Sequence, residues 1–174
     1  MPNESTDLHV FGPIPVPFKK NGNGVSKRIT KENAASFWAS DDGKAIGPKQ
    51  GVYIFALRAG KGFTPWYVGK ATKSFKQETL NQAKLNYYND VIYHGHKGTP
   101  VMFFVSKPGH LRKISKPIID ELEKFLIQSA YYKNDRLKNI QHAKKHTWGI
   151  KGVIRGGKGR APSNAGQFRL MLRL

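Results

Sequence analysis

Two strand-like runs, "GVYIFALR" at 51–58 and "WYVG" at 66–69, are separated by the short stretch "AGKGFTP". Both runs are rich in β-branched and aromatic residues, which suit a pleated, half-buried surface. A connection this short joins antiparallel neighbours, because a parallel pair needs a crossover of a dozen or more residues. The chain must therefore build on a hairpin, with Gly60 and Gly62 serving its turn. "TPVMFFVSK" at 99–107 offers a third strand.

Helices fill the intervals. Residues 30–40 read as a short helix capped by Thr30, and 74–92 as one or two helices broken near Asn81. The clearest is 115–132, "SKPIIDELEKFLIQSAYY", with Ser115 as candidate N-cap and Pro117 and Asp120 suited to its first turn. "NDRLKNIQHAKKH" reads as a second helical piece, "TWGIKGVIR" as another short strand, and "NAGQFRLMLRL" as a closing helix with Ser163 as its cap. The order strand, strand, helix, strand, helix gives an α/β or α+β fold with a small, mostly antiparallel sheet. Residues 1–49 are expected to form an arm and a short helix, "FGPIPVPFKKNGNG" being extended and then a turn. Residues 50–140 form the core. Residues 141–174 form a basic extension on or beside it.

The charge narrows the partner. Thirty Lys+Arg against eleven Asp+Glu leave +19, a balance that suits a polyanion, most often nucleic acid. An anionic membrane surface and simple solubility are the alternatives. From Arg136 to Leu174 no acid occurs. No run approaches the length of a membrane span, and the absence of a signal-like start points to an intracellular, cytoplasmic protein. With no cysteine, thiolate zinc sites, disulfides and a cysteine nucleophile are excluded.

At about 100° per residue, Glu123 falls between Ile119, Ala130 and Ile127 on the packed side of the 115–132 helix. Asp120, Glu121, Lys124 and Gln128 fall on the solvent arc. A carboxylate on the packed side must be paired, protonated or metal-bound, because an isolated buried charge is costly. A rim position or a structural ion pair is the plain alternative.

Gly51-Val52-Tyr53, then Tyr67-Val68-Gly69, then Glu123 with "FLI" behind it form an ordered set. This set resembles the GIY-YIG nuclease family over roughly residues 50–140. The resemblance implies a three-stranded antiparallel sheet flanked by helices. It also implies a divalent-metal-dependent endonuclease acting on nucleic acid, DNA favoured. Glu123 would hold one Mg2+ or Mn2+. Tyr53 would accept a proton from the attacking water, and Tyr67 would bind water or phosphate. Lys70 matches a lysine that follows the second motif in some members, and Asn139 fits a downstream asparagine. The family's arginine on the first helix has no counterpart: Gln77 or Glu78 stands there, with Lys73, Lys76 and Lys84 the nearest cations. Lys76 is expected in the arginine's place, as a point charge without the planar fork. A binding module of the same fold with weak or no cleavage is the rival.

Other candidates bind rather than react. Lys73, Lys84, Asn139, Arg155, Lys158 and Arg160 are expected on nucleic acid, with "IRGGKGR" tracking backbone phosphate. "GGKG" at 156–159 lacks the spacing of a phosphate-binding P-loop. His94, His96, His142 and His146 lack the third ligand of a metal site and read as loop or surface histidines. Trp148 and Phe168 offer stacking surfaces or core.

Overall fold

The computed structural model describes residues 7–20, 22, 26–109, 113–141, 143–144, 147–154 and 159–172. In chain order the first elements are β1 (His9–Pro15), β2 (Lys19–Lys20), β3 (Lys27–Arg28), α1 (Lys31–Ala39) and α2 (Asp41–Ile46). Then come β4 (Gly51–Ala59), β5 (Gly62–Ala71), α3 (Phe75–Glu78), α4 (Gln82–Tyr93), β6 (Thr99–Ser106), α5 (Lys116–Lys133) and α6 (Ser163–Leu172). They fall into two compact units, Met1–Ala143 and Lys144–Leu174.

The fold of the first unit is α+β. Its main sheet has four antiparallel strands in the order β1-β6-β4-β5, and β2 and β3 form a separate two-stranded ribbon. The expected three-stranded sheet gains a fourth strand from the N-terminal arm. Pro13 and Pro15 lack N–H donors and disguise β1 in the sequence, but an edge strand tolerates them, and its ladder shifts between Phe11 and Ile14. The hairpin turn is tighter than the sequence suggests. Ala59 pairs with Gly62, so Gly60 and Lys61 alone make the turn, Gly60 at φ +59°. β5 then runs on through Pro65, where the register shifts opposite Phe55 and Ala56.

Capping sets the helix starts. Thr30 and Asn33 form a reciprocal capping box on α1, and Ser40 ends α1 while capping α2. Ser74 caps α3 and Asn81 caps α4, so the expected break near Asn81 is a new N-terminus. Ser115 precedes α5 without a side-chain cap bond, and Pro117 sits in its first turn.

Neighbouring residues of a strand face opposite sides of the sheet. Tyr53, Phe55 and Leu57 join Phe37, Trp38, Phe75, Tyr88 and Phe104 in a core under α1–α4. Val52 and Val68 join Ile119, Ile127 and Ala130 in a second core under α5. Burial on both sides explains the nearly unbroken apolar run of β4.

The segment after α5 is not the helix expected. Asn134 leaves the helix at φ −147° and ψ 104°, and its side chain holds the next turn by accepting from Arg136 N–H at 3.1 Å. In the second unit, "TWGIKGVIR" gives an isolated bridge between Ile150 and Ile154 in place of a strand, and Ser163 begins α6 from inside the helix. Among the described residues no helix is long and apolar enough to cross a membrane.

Candidate active site

β5 lies at the edge of the main sheet, where free backbone groups invite unwanted pairing. The segment 134–139 covers that edge. Asn134 Nδ2 donates to Pro65 O at 2.8 Å, Lys138 N to Trp66 O at 2.8 Å, and Asn139 Nδ2 to Val68 O at 2.8 Å. Beside this strap opens a cavity of about 550 Å3, lined among others by Tyr67, Lys70, Glu78, Lys84, Glu123 and Lys138. The cavity wraps the sheet edge: Tyr67 belongs to the core under α4, while Lys70 reaches α5.

On the α4 face, Tyr53 pairs with Gly69 across the hairpin, and its ring stacks on Tyr67 with centroids 6.2 Å apart at 17°. A Cβ at Gly69 would lie 2.5 Å from Tyr53 Oη and 2.8 Å from a Tyr67 ring carbon. The glycine of the second motif is thus fixed by the tyrosine of the first. Tyr53 is fully buried, does not line the cavity, and its O–H reaches Glu78 O at 3.4 Å. Burial, reinforced by Tyr67, pushes its phenol far above the ordinary tyrosine value. A proton acceptor needs the phenolate and contact with water, so the base role expected of Tyr53 does not go with this position. Its place is behind the site, holding Tyr67.

Tyr67, unlike Tyr53, lines the cavity. Its oxygen accepts from Lys84 Nζ at 2.6 Å, and that ammonium sits 4.9 Å from the ring centroid. With the oxygen receiving one N–H, the Tyr67 O–H remains to be donated to a ligand. Tyr87 stacks on the far side at 5.6 Å.

On the α5 face, Glu123 is 15 % exposed and Lys70 Nζ lies 2.9 Å from its Oε2. The same Nζ lies 2.9 Å from Asp120 Oδ1, and Lys116 meets Asp120 Oδ2 at 3.2 Å. Asp120 therefore turns toward the site and not onto the solvent arc where the helical wheel put it. It precedes Glu123 by three positions, the spacing of helix neighbours. The hydrogen bonds that Lys70 donates to Glu123 and then to Asp120 hold its ammonium above the ordinary lysine value. Lys70 and then Lys116 hold Asp120 below the ordinary carboxylate value.

No protein-family model, no curated protein and no solved structure matches this chain. The geometry must therefore carry the chemistry. Among the described residues no group of three His, Asp or Glu is gathered for a metal ion. Mg2+ seldom needs such a cage, because it keeps several waters and takes one or two carboxylates plus substrate phosphate. Glu123 and Asp120 fit that sparse donor set, since both already converge on a single cationic nitrogen.

The remaining expected residues divide sharply. Lys76 is exposed on α3, its N–H bonded to Gly47 O, and it does not line the cavity. Lys84 is the cation that reaches the tyrosines. Glu78 lines the cavity, but its Oε1 accepts from Lys73 N at 2.6 Å and closes the turn before α3. Lys73 itself is exposed. Asn139 lines the cavity while its amide clips β5, so its first duty is structural. Lys138 is ion-paired with Asp90. His96 stacks on Trp66 at 4.1 Å and His94 sits against Asp90 at 3.4 Å. Arg160 is exposed in the second unit. Arg155, Lys158, His142 and His146 lie outside the described residues, as does most of "GGKG".

Two features escaped the sequence reading: Asp120 as a partner of the site, and Lys84 as the cation on Tyr67. The three-residue spacing to Glu123 could have revealed the first. Nothing local signals the second, because α4 folds Lys84 back over a strand seventeen residues earlier.

Proposed function

We propose that the protein is a divalent-metal-dependent endonuclease that hydrolyses phosphodiester bonds in nucleic acid, DNA favoured, through a site like that of the GIY-YIG family. One observation supports this most. A single cavity at the sheet edge gathers Tyr67 with Lys84 on one side and Glu123 with Lys70 on the other, around the glycine–tyrosine pair that the two motifs supply. Glu123, helped by Asp120, would hold one Mg2+ or Mn2+. Bound there, such an ion supplies a Lewis acid for the leaving oxygen and an acidified water.

The chain's own groups do the rest. Tyr67 donates its O–H to a phosphate oxygen or to the attacking water. Lys84 lies within reach of the same place and offsets charge that develops on the phosphoryl group, the duty expected of Lys76. Lys70, now held by both carboxylates, would turn its ammonium to the phosphate when those carboxylates hold a metal. Tyr53 and Gly69 keep Tyr67 in place without touching substrate. The test is Mg2+- or Mn2+-dependent nicking that Glu123→Ala abolishes with the fold intact.

A specific observation favours the second reading, a binding module without turnover. Glu123 and Asp120 are already paired with Lys70 and Lys116, and among the described residues no arginine lines the cavity. That reading expects tight, salt-sensitive binding and no product under any divalent cation.

A further inference from the structure

We propose that the groove between the β2–β3 ribbon and the outer face of α4 binds an unpaired nucleic-acid strand, with phosphates on the ribbon and one base on Tyr93. This deepens the reading of the protein as one that acts on nucleic acid, by giving the form of the strand that it holds.

The ribbon consists of four paired residues, all cationic: Lys19 faces Arg28 and Lys20 faces Lys27. Like charges directly opposite each other destabilise a strand pair. The ribbon is kept by other means. Lys27 Nζ donates to Gly98 O at 2.7 Å and sits 5.6 Å from the Phe18 ring centroid. Asn89 of α4 clamps the chain just after the ribbon: Ile29 N donates to its Oδ1 at 2.8 Å, and its Nδ2 donates to Ile29 O at 2.9 Å. A paired amide clamp of this kind fixes an unfavourable charge arrangement in one orientation. Among the described residues Lys19, Lys20 and Arg28 enter no ion pair. The acids nearby are Glu32, which feels Lys19 and Lys31, and Asp90, which Lys138 already engages.

The clamp leaves a groove of about 450 Å3 lined among others by Lys27, Arg28, Asn86, Asn89, Asp90 and Tyr93. The four α4 residues follow the spacing of one helix face. Tyr93 is 76 % exposed, a large ring left in water beside cations. Cations that track phosphates, next to an aromatic platform, form the pattern of single-strand binding, since every base offers a π-face. A duplex keeps its bases stacked inside and could use only the cations. The opposite side of α4 carries Lys84 and Tyr87 at the cavity. A strand in the groove thus lies about one helix diameter, ~10 Å, from the proposed cleavage site.

The test is fluorescence anisotropy in the Glu123→Ala background, which binds without cutting. The probes are a labelled oligothymidylate, an oligouridylate, a duplex of the same length and phosphatidylserine vesicles. The single strands should bind more tightly than the duplex. Tyr93→Ala should weaken single-strand binding about tenfold and Tyr93→Phe should restore it. Replacing Lys19, Lys20 and Arg28 by Gln should lower the slope of log affinity against log salt by about 2, at roughly 0.7 per lost phosphate contact. Urea midpoints that do not fall establish that these exposed positions leave the fold intact, relief of the opposed charges acting only to raise them. Equal affinity of Tyr93→Ala and its parent overturns the proposal, as does tighter binding to duplex or binding to vesicles alone. The nuclease reading fails separately: Tyr93-dependent binding by a wild type that never cleaves would leave the groove standing without the enzyme.

Discussion

Gly69→Ala tests the coupling of the two motifs. The added Cβ would lie 2.5 Å from Tyr53 Oη, 2.6 Å from its Cζ and 2.8 Å from a Tyr67 ring carbon, about 1 Å inside ordinary contact. Neither ring has room to retreat, because Tyr53 is fully buried and Tyr67 is stacked on both sides. Overpacking of this kind costs about 1–3 kcal/mol. Removing glycine from a strand interior returns about 0.5–1 kcal/mol. The net loss should be about 1–2 kcal/mol, a fall in Tm of roughly 2–8 °C for a unit of this size. The assay is urea unfolding followed by circular dichroism, with the midpoint lowered and the slope unchanged. In a Tyr53→Leu background the same substitution should cost less by about 0.5 kcal/mol or more, since the nearest ring is gone and Tyr67 gains room to move from the remaining 2.8 Å contact. An undisturbed Gly69→Ala, or an equal cost in both backgrounds, would refute the argument.

Tyr53→Phe should keep cleavage within about threefold, because the lost hydroxyl is outside the cavity; a drop of a hundredfold or more would restore Tyr53 as a proton acceptor. Asn134→Ala should cost about 1–3 kcal/mol, leaving Pro65 O without its donor, and should speed hydrogen exchange at the Lys138 amide as the strap lifts from β5. The Lys70 clip should show a defined pH window. Lys70 is raised in the folded state, so its contribution is complete below the ordinary lysine value of about 10.4 and fades as pH climbs through the folded value. Asp120 is lowered, so its contribution is complete above about 3.9 and fades as pH falls through the folded value. The stability difference between wild type and Lys70→Met should therefore stay flat from about pH 5 to 10 and shrink outside that range.

The elements that sequence alone made legible share a cause. β4, β5 and β6 announce themselves because both of their faces are buried, and α5 because its apolar stripe repeats over eighteen residues. β1 was hidden by prolines that only an edge position can accept. The strap after Asn134 reads as helical only through Arg136, Leu137 and Lys138, which favour helices, while the Asn134 side chain turns the chain and hands its amide to Pro65. Glu123 stood out because it breaks the apolar face. Asp120 did not, because a residue at the border of that face looks solvated until a partner is placed beside it. Lys84 depended wholly on tertiary structure: its meeting with Tyr67 requires α4 to cross the sheet, which no local pattern encodes.

The most direct measurement is a nicking assay on labelled DNA and RNA with Mg2+, Mn2+ and no divalent cation, run on wild type and Glu123→Ala. The account predicts product only with a divalent cation and only from wild type, with the variant still unfolding cooperatively in urea. Product from Glu123→Ala at the wild-type rate would contradict it, as would a wild type that binds nucleic acid tightly and yields no product with either ion.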